Sequence, residues 1–258
     1  METTKRLVVY TAMTRGYDEL QQPEEPSPEI DYICFSNDIP DKQIGVWKVR
    51  PIPFSTKDPI RLVRFVKLQP EEVLPECSAS LWIDSNITLT DEIQNRAFDC
   101  LSSGVVFSTL PHSIRDSVFD EAIVCLRANR GRPEEIVKQM RFLISEQFPD
   151  DIGLKETCIV FRNHGAALVR DFDSLWWSVL SNGSTRDQLG CDYSIWKTKI
   201  SFVPFSDKTL LSRCQHRHRP DAVRLKKLSF FAQCYRRFYL VQALYLYMKH
   251  KFKTTFAT

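Results

Sequence analysis

Asp84 and Asn86 are two oxygen-bearing side chains two positions apart, and they interrupt the apolar run of LWIDSNITL (81–89). A β-favouring run that stops on a carboxylate reads as a buried strand whose end emerges into a polar site, because an unpaired charge is costly inside a protein. Such a pair suits a hard divalent cation: Mg²⁺ or Mn²⁺ takes oxygen ligands from one or two carboxylates and completes its shell with phosphate and water. The same tripeptide also suits a turn whose Asp and Asn cap their own backbone. Arg61, Arg64 and Lys67 recur at i, i+3 and i+6, so they share one broad side of a helix and could hold phosphate oxygens, Arg as a fork and Lys as a point charge. A solvated basic face is the other account of that spacing.

These residues need elements to carry them. RLVVYTAM (6–13), DYICFSND (31–38), ASLWIDSNITL (79–89), VVFSTL (105–110) and TCIVFRN (157–163) read as strands; DPIRLVRFVKLQP (58–70), bounded by Asp58-Pro59 and Pro70, reads as a helix, as do 116–129, 133–148 and 170–182. QQPEEPSPE (21–29) is a proline-rich loop. Strands alternating with helices predict an α/β layered domain with a largely parallel central sheet, whose ligands collect at strand ends. Asp84 and Asn86 lie at such an end.

The chain has 258 residues and 43% hydrophobic content, enough for one large α/β domain with an appendage. Eight cysteines without a C-x-x-C pair suggest neither a disulfide framework nor a zinc knuckle, and are expected as reduced thiols in a cytoplasmic protein. METTKRLVVY lacks the apolar core of a signal peptide, and no 18-residue apolar stretch is present. The net charge of +3 hides an asymmetry: residues 210–258 hold eleven of the 35 Lys and Arg but one of the 32 Asp and Glu. That tail points to an anionic partner.

The segments YTAMTRGYDEL, DYICFSND, WKV (47–49), PIRLVRFVKLQP, LWIDSNI, QMRF, GLKETCIVFRNH, LWWSVLSNGSTRDQL and DYSIWK occur in an order that resembles a glycosyltransferase-like family of plant turgor-regulation and mucilage-related proteins and bacterial surface-polysaccharide relatives, long known only as a domain of unknown function. The resemblance covers roughly residues 6–205. It implies a single nucleotide-sugar transferase A-type, Rossmann-like domain with a D-x-D-like metal element, here expected over residues 1–220, followed by a basic tail over 221–258. Two departures stand out: Ser85 replaces the glycine of the family's WIDGN, a change a turn accepts where positive φ is not needed, and LPHS around His112 replaces KHP.

Carried over by this resemblance, Tyr10, Thr11 and Asp38 would hold base and ribose at strand ends; Arg61, Arg64, Lys67, Asp84, Ser85 and Gln188 would face the donor; and Asp84, Asn86 and His218 would hold Mn²⁺ or Mg²⁺. His216 and His218 could equally be tail histidines without a ligand. His112 and Arg115, with Glu121, would line the acceptor side, a surface role being the alternative. Glu156, with Gly153 and Leu154 in GLKET, would hold sugar hydroxyls, or the segment is a plain turn. Asp187 would act near the anomeric carbon, as a base for the acceptor hydroxyl or as a stabiliser of oxocarbenium-like charge, with Arg186 orienting sugar or phosphate. The spacing Ser184-x-x-Asp187 also suits a helix cap. Trp176 and Trp177 suit core packing or sugar stacking.

Phe231, Cys234, Phe238, Val241, Tyr245, Met248 and Phe252 repeat at spacings of three and four, one helical stripe, among Lys226, Lys227, Arg236, Arg237, Lys249, Lys251 and Lys253. This basic amphipathic helix is expected either at an anionic membrane surface, on the inner face of the cytoplasmic membrane, or packed on the domain or a second subunit as a homodimer. No recognised motif accompanies the charge, so nucleic acid is not an expected partner. The expected activity is metal-dependent transfer from a nucleotide-diphosphate sugar to a surface polysaccharide or lipid-linked glycan; a non-catalytic nucleotide- or sugar-binding protein that kept the fold is the reading from another class.

Overall fold

The computed structural model describes residues 7–14, 18–150, 152–214 and 229–255, with side chains through Phe252. Strands β1 (Leu7–Ala12), β2 (Ile30–Phe35), β3 (Gln43–Ile44), β4 (Trp47–Arg50), β5 (Ala79–Ile83), β6 (Phe107–Pro111), β7 (Lys155–Asn163) and β8 (Phe202–Pro204) form one sheet in the order β3-β4-β2-β1-β5-β7-β6-β8. β1 runs parallel to β2 and β5, β2 to β4, and β6 to β8; β7 is antiparallel to both of its neighbours and β3 to β4. The result is the mixed, mostly parallel α/β sheet expected from the sequence.

The helices α1 (Pro59–Leu68), α2 (Pro70–Val73), α3 (Asp91–Ser102), α4 (Val118–Arg127), α5 (Pro133–Ser145), α6 (Ala167–Asn182), α7 (Gln188–Thr198), α8 (Leu210–Arg213) and α9 (Phe230–Thr255) complete the described chain. Alternation along the strands assigns their faces. Leu7, Val9, Leu81, Ile83, Ile159 and Phe161 point to one side, where Ile93 and Ala97 of α3 cover them. Val8, Tyr10, Trp82 and Val160 point to the other, beneath Val66 and Leu68 of α1 and Phe172, Trp176 and Leu180 of α6. Trp82 and Asp84 are two apart, so the strand brings Asp84 out on the α1 side.

α1 starts where the sequence places it. The Asp58 side chain accepts the Ile60 N–H at 3.0 Å and Pro59 occupies the first helical turn; the helix stops before Pro70. α6 begins three residues ahead of the sequence reading, because its N-cap Ala166 offers no capping side chain to mark the start. β3, β4 and β8, at or next to the sheet edges, have four residues or fewer, too short for a periodic signal.

A third apolar cluster joins Phe119, Ala122 and Leu126 of α4, Ile136, Val137 and Met140 of α5, and Ala243 of α9. The tail helix therefore packs on the domain. It does so with the face opposite to the recognised stripe: Tyr239, Leu240, Leu244 and Tyr247 contact that cluster, whereas Phe231, Phe238, Val241, Tyr245, Met248 and Phe252 are exposed. Arg236, expected with the cations around the stripe, is on the packed side and donates to the Gly131 carbonyl at 2.8 Å. Lys226 and Lys227 lie outside the described residues.

Sheet and helix layer are cross-linked by a fully buried arginine. Arg162 Nε donates to Asp173 Oδ1 of α6 at 2.7 Å, its Nη1 reaches the Tyr10 hydroxyl at 3.3 Å, and the guanidinium lies 5.7 Å from the Trp176 ring. Removing one partner of such a pair strands a charge in the interior. Arg162→Met is therefore expected to lower unfolding stability by about 3–5 kcal/mol in urea titrations, and joint replacement of Arg162 and Asp173 by apolar residues to cost much less; an unchanged midpoint in the single variant would remove this network as a tie between the layers.

Candidate functional site

The carboxyl ends of β5 and β6 and the start of β7 open onto one cavity of about 520 Å³, lined among others by Arg64, Asp84, Asn86, Glu156, Asp187 and Gln188. Its position outside the strand ends is where open α/β sheets place ligands, and its size is that of a small-molecule site. β7 explains how one strand supplies two adjacent wall residues. Its register against β6 shifts between Thr109 and Leu110, which pair with Val160 and Glu156, and that irregularity re-aims the chain so that both Glu156 and Thr157 face the cavity.

Beneath the floor sits Lys67, from the last turn of α1, with 1% exposure. Its ammonium lies 2.5 Å from Asp187 Oδ2, 3.5 Å from Asp84 Oδ1 and 3.3 Å from Thr157 Oγ1, and 5.5 Å from the Trp82 ring. Trp82 donates its indole N–H to Asp84 Oδ1 at 2.7 Å, so the residue two before the carboxylate both supports and orients it. Asp84 stays about a third exposed, its side chain at 32%.

Asp187 is held differently. Burial alone would raise its carboxyl, but Arg64, Lys67 and Arg186 hold it well below the usual carboxylate range. Arg64 Nη2 pairs with Oδ1 at 3.2 Å, and Thr157 donates its hydroxyl to Oδ2 at 2.7 Å. Asp187 occupies the N-cap position of α7 without a side-chain cap hydrogen bond; the cap reading of Ser184 and Asp187 does not describe where this carboxylate points. Ser184 Oγ accepts the Arg186 N–H instead. A carboxylate so firmly ionised is a weak base and a strong fixed negative charge.

The far wall holds His112, Arg115, Glu121 and Glu156. The backbone N–H groups of Ile114 and Arg115 both point at His112 Nδ1 at 3.0 Å, and Nε2 lies 3.0 Å from Arg115 Nη2 and 3.5 Å from Glu156 Oε1. Burial keeps His112 below its ordinary pKa, so the ring is neutral near pH 7. Arg115 is pinned by Glu121, Nε to Oε2 at 2.7 Å. Two buried guanidinium N–H groups of cavity residues, Arg64 Nε and Arg186 Nε, have no hydrogen-bond partner among the described residues.

Several expected residues lie elsewhere. Arg61 is not in the cavity wall: it donates to the Leu180 and Ser181 carbonyls at 3.3 and 3.2 Å and pairs with Glu135 at 3.6 Å, a clasp on the carboxyl end of α6. Tyr10 is fully buried against Trp82 and Arg162, and burial pushes its hydroxyl pKa up. Thr11 is buried and Asp38 is exposed in the turn after β2, neither among the wall residues. Ser85 donates to Asp18 at 2.8 Å and needs no positive φ, so the exchange for glycine is accommodated. Gly153 has φ +82°, and Leu154 is core, so GLKET turns before it delivers Glu156. Trp176 is core, donating to the Asp187 carbonyl at 2.9 Å, and Trp177 packs on Phe54 and Phe65. His216 and His218 fall outside the described residues. Arg130 and Thr157 line the cavity without having been singled out: Arg130 sits in an irregular turn, and strict alternation assigns Thr157 to the face opposite Glu156.

Asp84 and Asn86 suit a divalent cation by donor chemistry, one carboxylate and one amide oxygen on the same wall. No group of three His, Cys, Asp or Glu side chains able to hold a metal occurs among the described residues. The protein thus offers part of a coordination shell, which a ligand's phosphates and water would have to complete.

No curated protein matches the sequence. Among solved structures, the crystal structure of mouse xyloside xylosyltransferase 1 in its apo form superposes over 77% of this chain and 84% of that one, with a TM-score of 0.45 and 10% identity. The family model described as "TOD1/MUCI70, glycosyltransferase-like domain" matches residues 1–220. With that match spanning all but the last 38 of the 258 residues, the chain belongs to the TOD1/MUCI70 glycosyltransferase-like family.

Proposed function

We propose that this protein transfers a glycosyl group from a nucleoside-diphosphate sugar to a hydroxyl of a surface polysaccharide or lipid-linked glycan, with Mn²⁺ or Mg²⁺ held between Asp84, Asn86 and the donor diphosphate. The observation that carries this reading is that Arg64, Arg186 and the part-exposed Asp84 line one cavity in a member of a glycosyltransferase-like family. Two guanidinium groups on one cavity wall favour an anion, and phosphate oxygens match their fork geometry. The cation, when bound, neutralises charge that builds on the leaving diphosphate.

The protein groups divide the remaining work. Arg64 and Arg186 orient the phosphates, with Gln188 accepting from Arg186 Nη2 at 3.3 Å. Asp187, ionised and fixed by Lys67, Thr157 and Arg64, stabilises positive charge developing at the anomeric carbon, which is the electrostatic one of its two expected roles. Glu156 lines the cavity beside His112 and holds sugar hydroxyls.

Binding of a nucleoside diphosphate measured by calorimetry is expected to require Mn²⁺, and Asp84→Ala is expected to abolish the metal-dependent part while the protein stays folded. Metal-independent binding in the wild type, or unchanged binding in the variant, would leave this segment a turn.

Asp187→Asn is expected to leave donor affinity nearly unchanged and to lower turnover by roughly 10²-fold or more, read as release of free nucleoside diphosphate from the sugar donor. Normal turnover in that variant would return Asp187 to a purely structural role, and no release by the wild type with any donor would favour the non-catalytic binding protein.

A further inference from the structure

α9 has two apolar sides, and the domain covers one of them. Ala243 is fully buried, Tyr247 stacks on Phe119 with ring centroids 6.0 Å apart, and Gln242 accepts from Arg141 of α5 at 3.0 Å. On the opposite side Phe238, Val241, Tyr245, Met248 and Phe252 are exposed at 58%, 65%, 60%, 55% and 65%. With Phe231 they form a line over 22 residues, roughly 30 Å of helix. So long an exposed apolar row marks an interaction surface.

The surrounding charge selects the occupant. Residues 230–255 contain no Asp or Glu. On a helical projection of 100° per residue, Arg237 and Lys251 fall on one flank of the row and Lys249 on the other, all three exposed. The spacing of three and four would also serve a two-helix seam, but a second copy would present the same cations and no acids to pair with them. An apolar row rich in Phe and Tyr with cations along both edges is the pattern of a helix lying in the plane of an anionic bilayer surface. No described helix is long and apolar enough to cross a membrane, so the contact is one of lying on the surface.

We propose that the outer face of α9 docks the protein on an anionic lipid surface, with Phe231, Phe238, Val241, Tyr245, Met248 and Phe252 entering the boundary between headgroups and acyl chains and Arg237, Lys249 and Lys251 meeting lipid phosphates. The proposal stands independently of the reaction assigned to the cavity. It also sets the direction in which the domain approaches lipid, through the α4 and α5 side that carries α9.

Cosedimentation of the full chain with phosphatidylglycerol-containing vesicles tests it, with pure phosphatidylcholine vesicles as the neutral arm. The wild type is expected to pellet with the anionic vesicles only, less so as salt is raised, and the double variant Phe238→Glu with Tyr245→Glu to bind them at least about tenfold more weakly. Both positions are exposed, and unchanged thermal unfolding would verify that the variant folds. Equal pelleting of wild type and variant would assign any lipid affinity to other basic residues and overturn the proposal. So would failure of the wild type to pellet, or light scattering that shows a dimer dissolved by the double variant, which would identify a second copy as the occupant.

Discussion

An ammonium group inside the protein organises the site. Lys67 carries its charge where water does not reach, and such a charge persists only when neighbours replace the lost hydration. Asp187, Asp84 and Thr157 do so from three separate segments: the turn before α7, the end of β5 and the start of β7. Each is therefore held in place by the same point. The two carboxylates, which would repel one another, are brought into one site by the cation between them. Trp82 finishes the arrangement by donating to Asp84 from the strand below.

β7 has a second part in this. An antiparallel strand between two parallel neighbours presents its first residues at the edge where β5 and β6 end. Glu156 and Thr157 thus enter the site from a strand start, while Asp84 and His112 enter from strand ends. The shifted register against β6 lets consecutive residues share a wall, which a regular strand would forbid.

What could be read in advance divides along physical lines. Period-two alternation in the strands and the Asp58-Pro59 start of α1 are local signals, so β1, β2, β5 and α1 stand close to where the sequence places them. Asp84 beside Trp82 was legible for the same reason. The three cations of α1 were legible as a row but not as individuals: Arg64 and Lys67 lie over the strand ends, and Arg61, one turn earlier, meets the end of α6, a separation decided by where another helix stops. Arg130 and the pairing of Glu156 with Thr157 depend on irregular backbone, for which no periodicity exists. The tail gave one apolar stripe by its spacing, yet the packed side of α9 is built from Tyr239, Leu240 and Ala243, a second apolar row that the first one masks in the sequence.

The clasp made by Arg61 has a consequence for how the two sides of the cavity are held. By gripping the last carbonyls of α6 and pairing with Glu135 of α5, it welds α1 to the segment that leads through Gly183 to Asp187. At Gly183 an added Cβ would lie 2.9 Å from the Val179 carbonyl oxygen as well as against the movable Gln139 amide, so a side chain there would press on the last turn of α6. Arg64, Lys67 and Asp187 are joined by their own ion pairs on that same side of the cavity. The opposite lip, the stretch after β6 that carries His112, ends in Ile114, 80% exposed, so one side of the cavity is tied into the helix layer and the other sets an apolar side chain in solvent.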